Sequence, residues 1–323
     1  MLLYKGECKM TKIAFIFPGQ GSQTVGMGQE FISQESACKE FYDQADQLLG
    51  IELSKLMLEG PQEDLTLTYH AQPALLTTGV MIAEKLKKAG ITPDFTAGHS
   101  LGEYAAIVTS GVMTFADGVQ AVHNRGIYMN EAVPAGEGAM AAILGLNRDE
   151  LKQVTDSVTA EGEIVQLANL NCPGQIVISG TAKGVELASE KAKEVGARRA
   201  IPLVVSGPFH SELMRPAASK LQQMLSKIDM QDANVPVIAN VNAQPVTSKA
   251  VILNQLVEQL YSPVLWEDSV RTLLAEGVDV FIECGPGKVL SGLVKKVDRK
   301  VKTYCVYDEA TFNQLIEAAK EWS

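Results

Sequence analysis

The sequence lacks several features, and each absence narrows the function. No apolar run approaches the roughly 18 residues of a membrane-crossing helix, and the N-terminus lacks the long apolar core of a signal peptide, so a cytoplasmic location without membrane attachment is expected. Five cysteines (Cys8, Cys38, Cys172, Cys284 and Cys305) are scattered without a C-x-x-C spacing, which argues against a disulfide framework and against a zinc site. Basic residues are too few for a nucleic-acid partner: 28 Lys and Arg face 38 Asp and Glu, for a net charge of -10. A nucleotide cradle is also incomplete. The loop Pro18-Gly19-Gln20-Gly21-Ser22-Gln23 follows an apolar strand, but Thr24 stands where the third glycine of G-x-G-x-x-G belongs and no Gly-Lys-Ser/Thr follows. Repeats, linkers and low-complexity segments are missing too. With 323 residues and 46% hydrophobic content, the chain can bury one large core, or one core and a smaller satellite. Residues Met1 to Lys9 do not resemble a core strand, and Met10 is an alternative start.

The sequence does contain Gly98-His99-Ser100-Leu101-Gly102, between a run ending at Ala97 and a helical pattern over 103–109 with Tyr104, Ala105 and Val108 inward. This is the layout of a nucleophile elbow, in which a tight strand-to-helix turn forces a serine outward and the flanking glycines permit close packing. A capping serine in a glycine-rich turn is the plainer alternative. In an elbow, the Leu101 N–H lies at a helix N-terminus and suits an oxyanion. The loop at 18–23 is placed to aim the Gln20 N–H at the same point.

In chain order, Ile13–Phe17 reads as a strand covered on both faces, 29–49 and 72–89 as helices, and 116–131 as a helix with Val119, Val122 and Ile127 inward. Arg125 lies on that last helix, either in a surface ion pair or facing the site. His123 is roughly 200° away around the helix and cannot face the site with it. The pattern changes at Pro134-Ala135-Gly136. Strands at 139–146, 163–169, 175–179 and 200–205 alternate with helices at 147–158 and 181–195 in the order βαββαβ, with Asn147 and Glu150 at capping-box spacing. The expected fold is α/β. A large α/β-hydrolase-like domain with a mainly parallel sheet covers 10–133 and 206–323, and a ferredoxin-like subdomain is inserted at 134–205. After it come Ser206 to Ser211, a helix carrying Met214, Ala217, Leu221, Met224, Leu225 and Ile228, strands at 235–241, 280–283 and 304–306, and further helices after Gly287 and at the C-terminus. A cleft between two parts of one chain needs no partner subunit, so a monomer is expected.

A serine needs a base, and a histidine with pKa about 6.5 suits that task near neutral pH. Of the four histidines, His70 reads as structural in a loop before a helix, and His99 as packing around the elbow. His210 lies in a short strand-to-helix loop and is the candidate base. No acidic residue stands out as its partner, so a backbone carbonyl is left to fix its tautomer, giving a Ser-His dyad.

Phe17–Gln23, Gly98–Tyr104, Arg125, Gly207-Pro208-Phe209-His210-Ser211 and Gln259-Leu260-Tyr261-Ser262-Pro263-Val264 occur in the order seen in malonyl-CoA:acyl carrier protein transacylases. From about Lys12 onward the chain resembles a free-standing member of that family. The resemblance implies that Ser100 and His210 form a malonyl-serine from malonyl-CoA and pass it to the phosphopantetheine thiol of acyl carrier protein by ping-pong, for fatty acid biosynthesis. It further implies an oxyanion hole from the N–H groups of Gln20 and Leu101, orientation of His210 by the Gln259 carbonyl, a malonyl carboxylate held by Arg125, and a restriction by Phe209 against α-substituted acyl groups. Neither cofactor nor metal is implied, malonyl-CoA being a substrate. The resemblance gives no mapping of a carrier-protein surface; Lys191, Lys193, Arg198 and Arg199, and Lys295, Lys296, Arg299 and Lys300, are candidate basic patches for an acidic carrier protein, with an ordinary solvated face as the alternative for each. Competing readings are a trans-acting polyketide acyltransferase, a serine hydrolase of acyl thioesters and an idle carrier-binding module.

Overall fold

The computed structural model of the protein describes residues 11–134 and 136–322; Cys8, the alternative start at Met10, the excluded segment before it and Ala135 of the expected boundary fall outside them. β1 (Ile13–Phe17) is apolar throughout and its last four residues are buried, as a parallel strand covered on both faces requires. The helix expected over 29–49 is two helices, α1 (Gln29–Gln34) and α2 (Ser36–Leu49). Glu35 between them is extended, with φ −128° and ψ 119°, and its carboxylate pairs with the buried ammonium of Lys85. Two short helices without an expected pattern, α3 (Leu53–Glu59) and α4 (Gln62–Thr66), lead into α5 (Thr68–Lys88), which begins one turn before the expected start at Gln72. Pro73 therefore lies inside a helix, where its missing N–H deprives the Tyr69 carbonyl of a donor. His123 Nδ1–H supplies one from 2.8 Å. β2 (Phe95–Gly98), α6 (Gly102–Thr109) and α7 (Phe115–Glu131) follow. Val108 and Ile127, expected inward, are half-buried.

β3 (Gly138–Leu144), α8 (Arg148–Ala160), β4 (Val165–Cys172), β5 (Gln175–Thr181), α9 (Ala182–Glu194) and β6 (Arg199–Pro202) form a second sheet with its helices. The strand order is β4-β5-β3-β6, with every neighbour antiparallel. Asn147 and Glu150 cap α8 reciprocally, at 2.9 and 3.0 Å. Leu151 and Val158 of α8 and Ala188 of α9 bury against Ile143 and Ile178, so the helices cover one face of this sheet.

The chain then adds α10 (Arg215–Leu225), β7 (Val237–Ile238), β8 (Pro245–Val246), α11 (Lys249–Gln259), α12 (Trp266–Ala275), β9 (Val280–Cys284), α13 (Val289–Val297), β10 (Lys302–Val306) and α14 (Glu309–Ala319). The first sheet has the order β10-β9-β1-β2-β7-β8 and is parallel except between β7 and β8. The strand expected over 235–241 contracts to two residues paired with Thr96 and Ala97, because Asn240 turns out of the sheet toward residue 100. β4 is tied to the segment between α11 and α12, where Val264 forms an isolated parallel bridge with Asn169. The Leu170 N–H donates to the Val264 carbonyl at 2.9 Å, and the Val264 N–H to the Ala168 carbonyl at 2.8 Å. No helix among the described residues is long and apolar enough to cross a membrane.

Candidate active site

β2 delivers residues 98–102 to the end of the parallel sheet, and the turn there leaves no room for a side chain at either glycine. A Cβ on Gly98 would lie 1.9 Å from the Gly102 carbonyl carbon, and one on Gly102 would lie 2.0 Å from the Phe17 carbonyl oxygen. Ser100 between them has φ 53°, a left-handed conformation that costs energy and persists only when its surroundings enforce it. Asn240 supplies part of that enforcement. Its Oδ1 accepts the Ser100 N–H at 2.7 Å and its Nδ2 donates to the Gly98 carbonyl at 2.7 Å.

His210 is the histidine that reaches this serine. Its Nε2 lies 2.7 Å from Ser100 Oγ, and its Nδ1–H donates to the Gln259 carbonyl at 2.8 Å. The second contact fixes the tautomer, because a carbonyl only accepts, and leaves Nε2 bare to take the serine proton. Burial, and then the charge of Arg125, push His210 down to about 3, so the ring is neutral near pH 7. Its backbone is also left-handed, at φ 59°. The other described histidines are engaged elsewhere: His99 on Asn171 Oδ1 at 2.8 Å, His123 on Tyr69, and His70 on the Asp64 carbonyl at 2.9 Å. His70 lies within α5 rather than in a preceding loop.

Arg125 faces inward from α7 and is 1% exposed. Its Nη2 donates to Ser100 Oγ at 3.2 Å and to Gln259 Oε1 at 2.8 Å, while Nη1 donates to Gln72 Oε1 at 2.8 Å. The Tyr104 ring lies 5.5 Å from the guanidinium carbon. Among the described residues no carboxylate lies within ion-pair distance of Arg125. The result is a buried cation held by neutral amide oxygens beside a nucleophile, an arrangement suited to a ligand that brings its own negative charge.

A cavity of about 170 Å³ opens over these groups, lined among others by Gln20, His99, Leu101, Met140, Asn169 and Phe209. The backbone N–H groups of Gln20 and Leu101 have no partner among the described residues, as donors reserved for a transient oxyanion would. Gln20, Ser100, Leu101, Arg125, Phe209 and His210 thus converge on one cavity, with Gln259 directly behind it. Sequence reasoning missed the supporting amides Gln72, Gln166, Asn171 and Asn240. Gln166 Nε2 holds the His210 carbonyl at 3.3 Å. Neutral amides lack the rarity that singles out a histidine, and only their hydrogen bonds in the folded chain distinguish them from other polar residues.

A family model described as an acyl transferase domain matches residues 14–309. The chain is 65% identical over 312 residues to the malonyl CoA-acyl carrier protein transacylase of Bacillus subtilis (strain 168), across 97% of this chain and 98% of that one. The chain belongs to the malonyl-CoA:acyl carrier protein transacylase family. Among solved structures of the family, an acyl carrier protein S-malonyltransferase from Vibrio cholerae O1 biovar eltor superposes with a TM-score of 0.92 at 42% identity, covering 94% of this chain and 100% of that one. A malonyl-transacylase solved in complex with a type II polyketide synthase acyl-carrier protein superposes with a TM-score of 0.93 at 40% identity, covering 95% of this chain and 100% of that one. In this transacylase the two basic clusters partly merge: Arg198, Arg199 and Lys296 line one surface depression. Lys191 instead pairs with Glu161.

Proposed function

We propose that the chain transfers malonyl from malonyl-CoA to the phosphopantetheine thiol of acyl carrier protein, in fatty acid biosynthesis, through a malonyl-serine on Ser100. Ser100 Oγ gives its proton to His210 Nε2 as it attacks the thioester carbon. The oxyanion is met by the N–H groups of Gln20 and Leu101, and collapse expels CoA, which takes the proton from His210 and leaves as the thiol. The carrier thiol reverses these steps: it gives its proton to His210, attacks the acyl-serine and restores the Ser100 hydroxyl. The carrying observation is the 3.2 Å contact between Arg125 Nη2 and Ser100 Oγ. In malonyl a single methylene separates the thioester carbonyl from the carboxylate, so a cation that binds the carboxylate must lie this close to the attacking oxygen. The guanidinium suits a bidentate pair. Phe209 lines the same cavity and restricts space beside the α-carbon.

This reading divides the chain into an α/β-hydrolase-like domain, 10–133 and 206–323, and a ferredoxin-like subdomain, 134–205. The antiparallel order β6-β3-β5-β4, with both helices on one face, supports the second assignment. The protein acts as a cytoplasmic monomer, its cleft being complete within one chain. A polyketide pathway is the second reading, favoured by the relative solved with a type II polyketide synthase acyl-carrier protein. A serine hydrolase of acyl thioesters fits less well, because an ordinary ester brings no anion to Arg125. The test is sequential: protein is mixed with malonyl-CoA, freed of nucleotide, and given phosphopantetheinylated carrier protein. Malonyl arriving on the carrier supports transfer, whereas release of malonate at the same rate with and without carrier overturns it.

A further inference from the structure

Glu103 is 2% exposed, on the first turn of α6, and takes no part in the steps above. Its Oε2 accepts from Gln259 Nε2 at 2.6 Å and from the Asn240 backbone N–H at 3.3 Å. The second hydrogen on Gln259 Nε2 goes to the Ser100 carbonyl at 2.9 Å. Two acceptors therefore face one end of the Gln259 amide. That end must be the NH2, and the other must be the oxygen, which accepts from Arg125 at 2.8 Å. A flipped amide would set its oxygen against two oxygens and its NH2 against a guanidinium. The main chain of Gln259 meanwhile holds His210 Nδ1.

We propose that Glu103 is a positioning residue for acyl-group selection: by fixing which way the Gln259 amide points, it holds the Arg125 guanidinium beside Ser100 in the orientation that receives an acyl carboxylate. Glu103 does this without touching the substrate. A carboxylate paired directly with Arg125 would neutralise the charge that the acyl carboxylate needs, whereas an amide placed between them fixes the guanidinium and leaves its charge for the substrate. What matters is the reach of the acceptor rather than its charge. Burial pushes the Glu103 carboxyl up to about 7, so a neutral side chain of the same length is well suited to the position.

The inference rests on the malonyl-transfer reading, and wild-type protein serves as the control that separates the two: no malonyl-serine on wild type removes that reading, while a functioning wild type leaves the inference to be judged on variants. Glu103→Gln keeps the reach and an acceptor oxygen. Glu103→Asp keeps a carboxyl group but withdraws it from Gln259 by one methylene. The readout is the ratio of acyl-enzyme formation rates from malonyl-CoA and acetyl-CoA, in variants whose circular dichroism matches wild type. Glu103→Asp is expected to lower the ratio about tenfold, the scale of one hydrogen bond in a chain ending on a charged group. Glu103→Gln is expected to keep it within about threefold. A ratio unchanged in Glu103→Asp, an equal loss in both variants, or a proportional loss with both substrates overturns the proposal. If Glu103→Asp does not fold, Glu103→Gln decides alone: a tenfold drop in its ratio overturns the role of reach, and a retained ratio in a folded protein supports it.

Discussion

Replacing Arg125 with alanine separates recognition of the acyl carboxylate from the chemistry at Ser100. The guanidinium is 1% exposed and is held by Gln72 Oε1 and Gln259 Oε1, each at 2.8 Å. A malonyl carboxylate entering the wild-type site meets a desolvated cation, and in the variant it is buried without one. Leaving a buried charge unpaired costs about 3–5 kcal/mol, which at about 1.4 kcal/mol per decade is a loss of kcat/KM with malonyl-CoA between roughly 10²-fold and several thousand-fold. Acetyl-CoA brings no carboxylate. It loses only what the variant takes from Gln72 and Gln259, whose amide oxygens are left without a donor, a penalty of about 1–3 kcal/mol each borne mainly by stability. The assay is acyl-serine formation by intact mass under single-turnover conditions, with each thioester alone and with both in competition. Malonyl selectivity should fall by at least about tenfold. Equal losses with both substrates would refute the argument, because Arg125 would then support the fold of the site without reading the acyl group.

Three further outcomes follow from the same geometry. Asn240→Ala removes both side-chain bonds that hold the Ser100 turn; a loss of about 2–4 kcal/mol is expected in denaturant unfolding, together with slower acylation, and a variant of wild-type stability would contradict that role. Gly102→Ala places a Cβ 2.0 Å from the Phe17 carbonyl oxygen, so it should cost about 4 kcal/mol or more, read as loss of soluble folded protein. His210 binds a proton only near pH 3 when folded but near its ordinary 6.5 when unfolded. The unfolded chain therefore holds more protons between these values, and the stability due to a neutral His210 is complete above 6.5 and is lost as pH falls toward 3. His210→Asn should flatten that part of the curve of melting temperature against pH, and parallel wild-type and variant curves would show the ring to be unperturbed.

The residues legible in the sequence share a physical property: their types are constrained by chemistry or by backbone geometry. Gly98 and Gly102 mark the elbow because no other residue fits. Ser100, His210 and Arg125 stand out because few side chains supply a nucleophile, a base titrating near neutrality or a bidentate cation. Apolar runs such as Ile13–Phe17 and the capping pair Asn147 and Glu150 carry equally local signals. What was not legible depends on distant partners. Residue 35 breaks a helix while its carboxylate meets Lys85 from α5; α5 runs through Pro73 because His123 from α7 supplies the missing donor; the strand at 237 stops after two residues as Asn240 turns toward residue 100. The elements between 242 and 279 went unread: β8 spans only two residues, in α11 the buried Ile252 and Leu256 share their face with Gln255 and Gln259, which blur the apolar stripe, and α12 buries Trp266, Val270 and Leu273 at helical spacing, a local signal that was there to read.

The most direct measurement of the central claim is peptide mapping of wild-type and Ser100→Ala protein after brief exposure to malonyl-CoA. One malonyl adduct, on the peptide containing Ser100, absent from Ser100→Ala and discharged from wild type by carrier protein, is the predicted result. An adduct on another residue, or one that persists in Ser100→Ala at the wild-type level, would contradict the account.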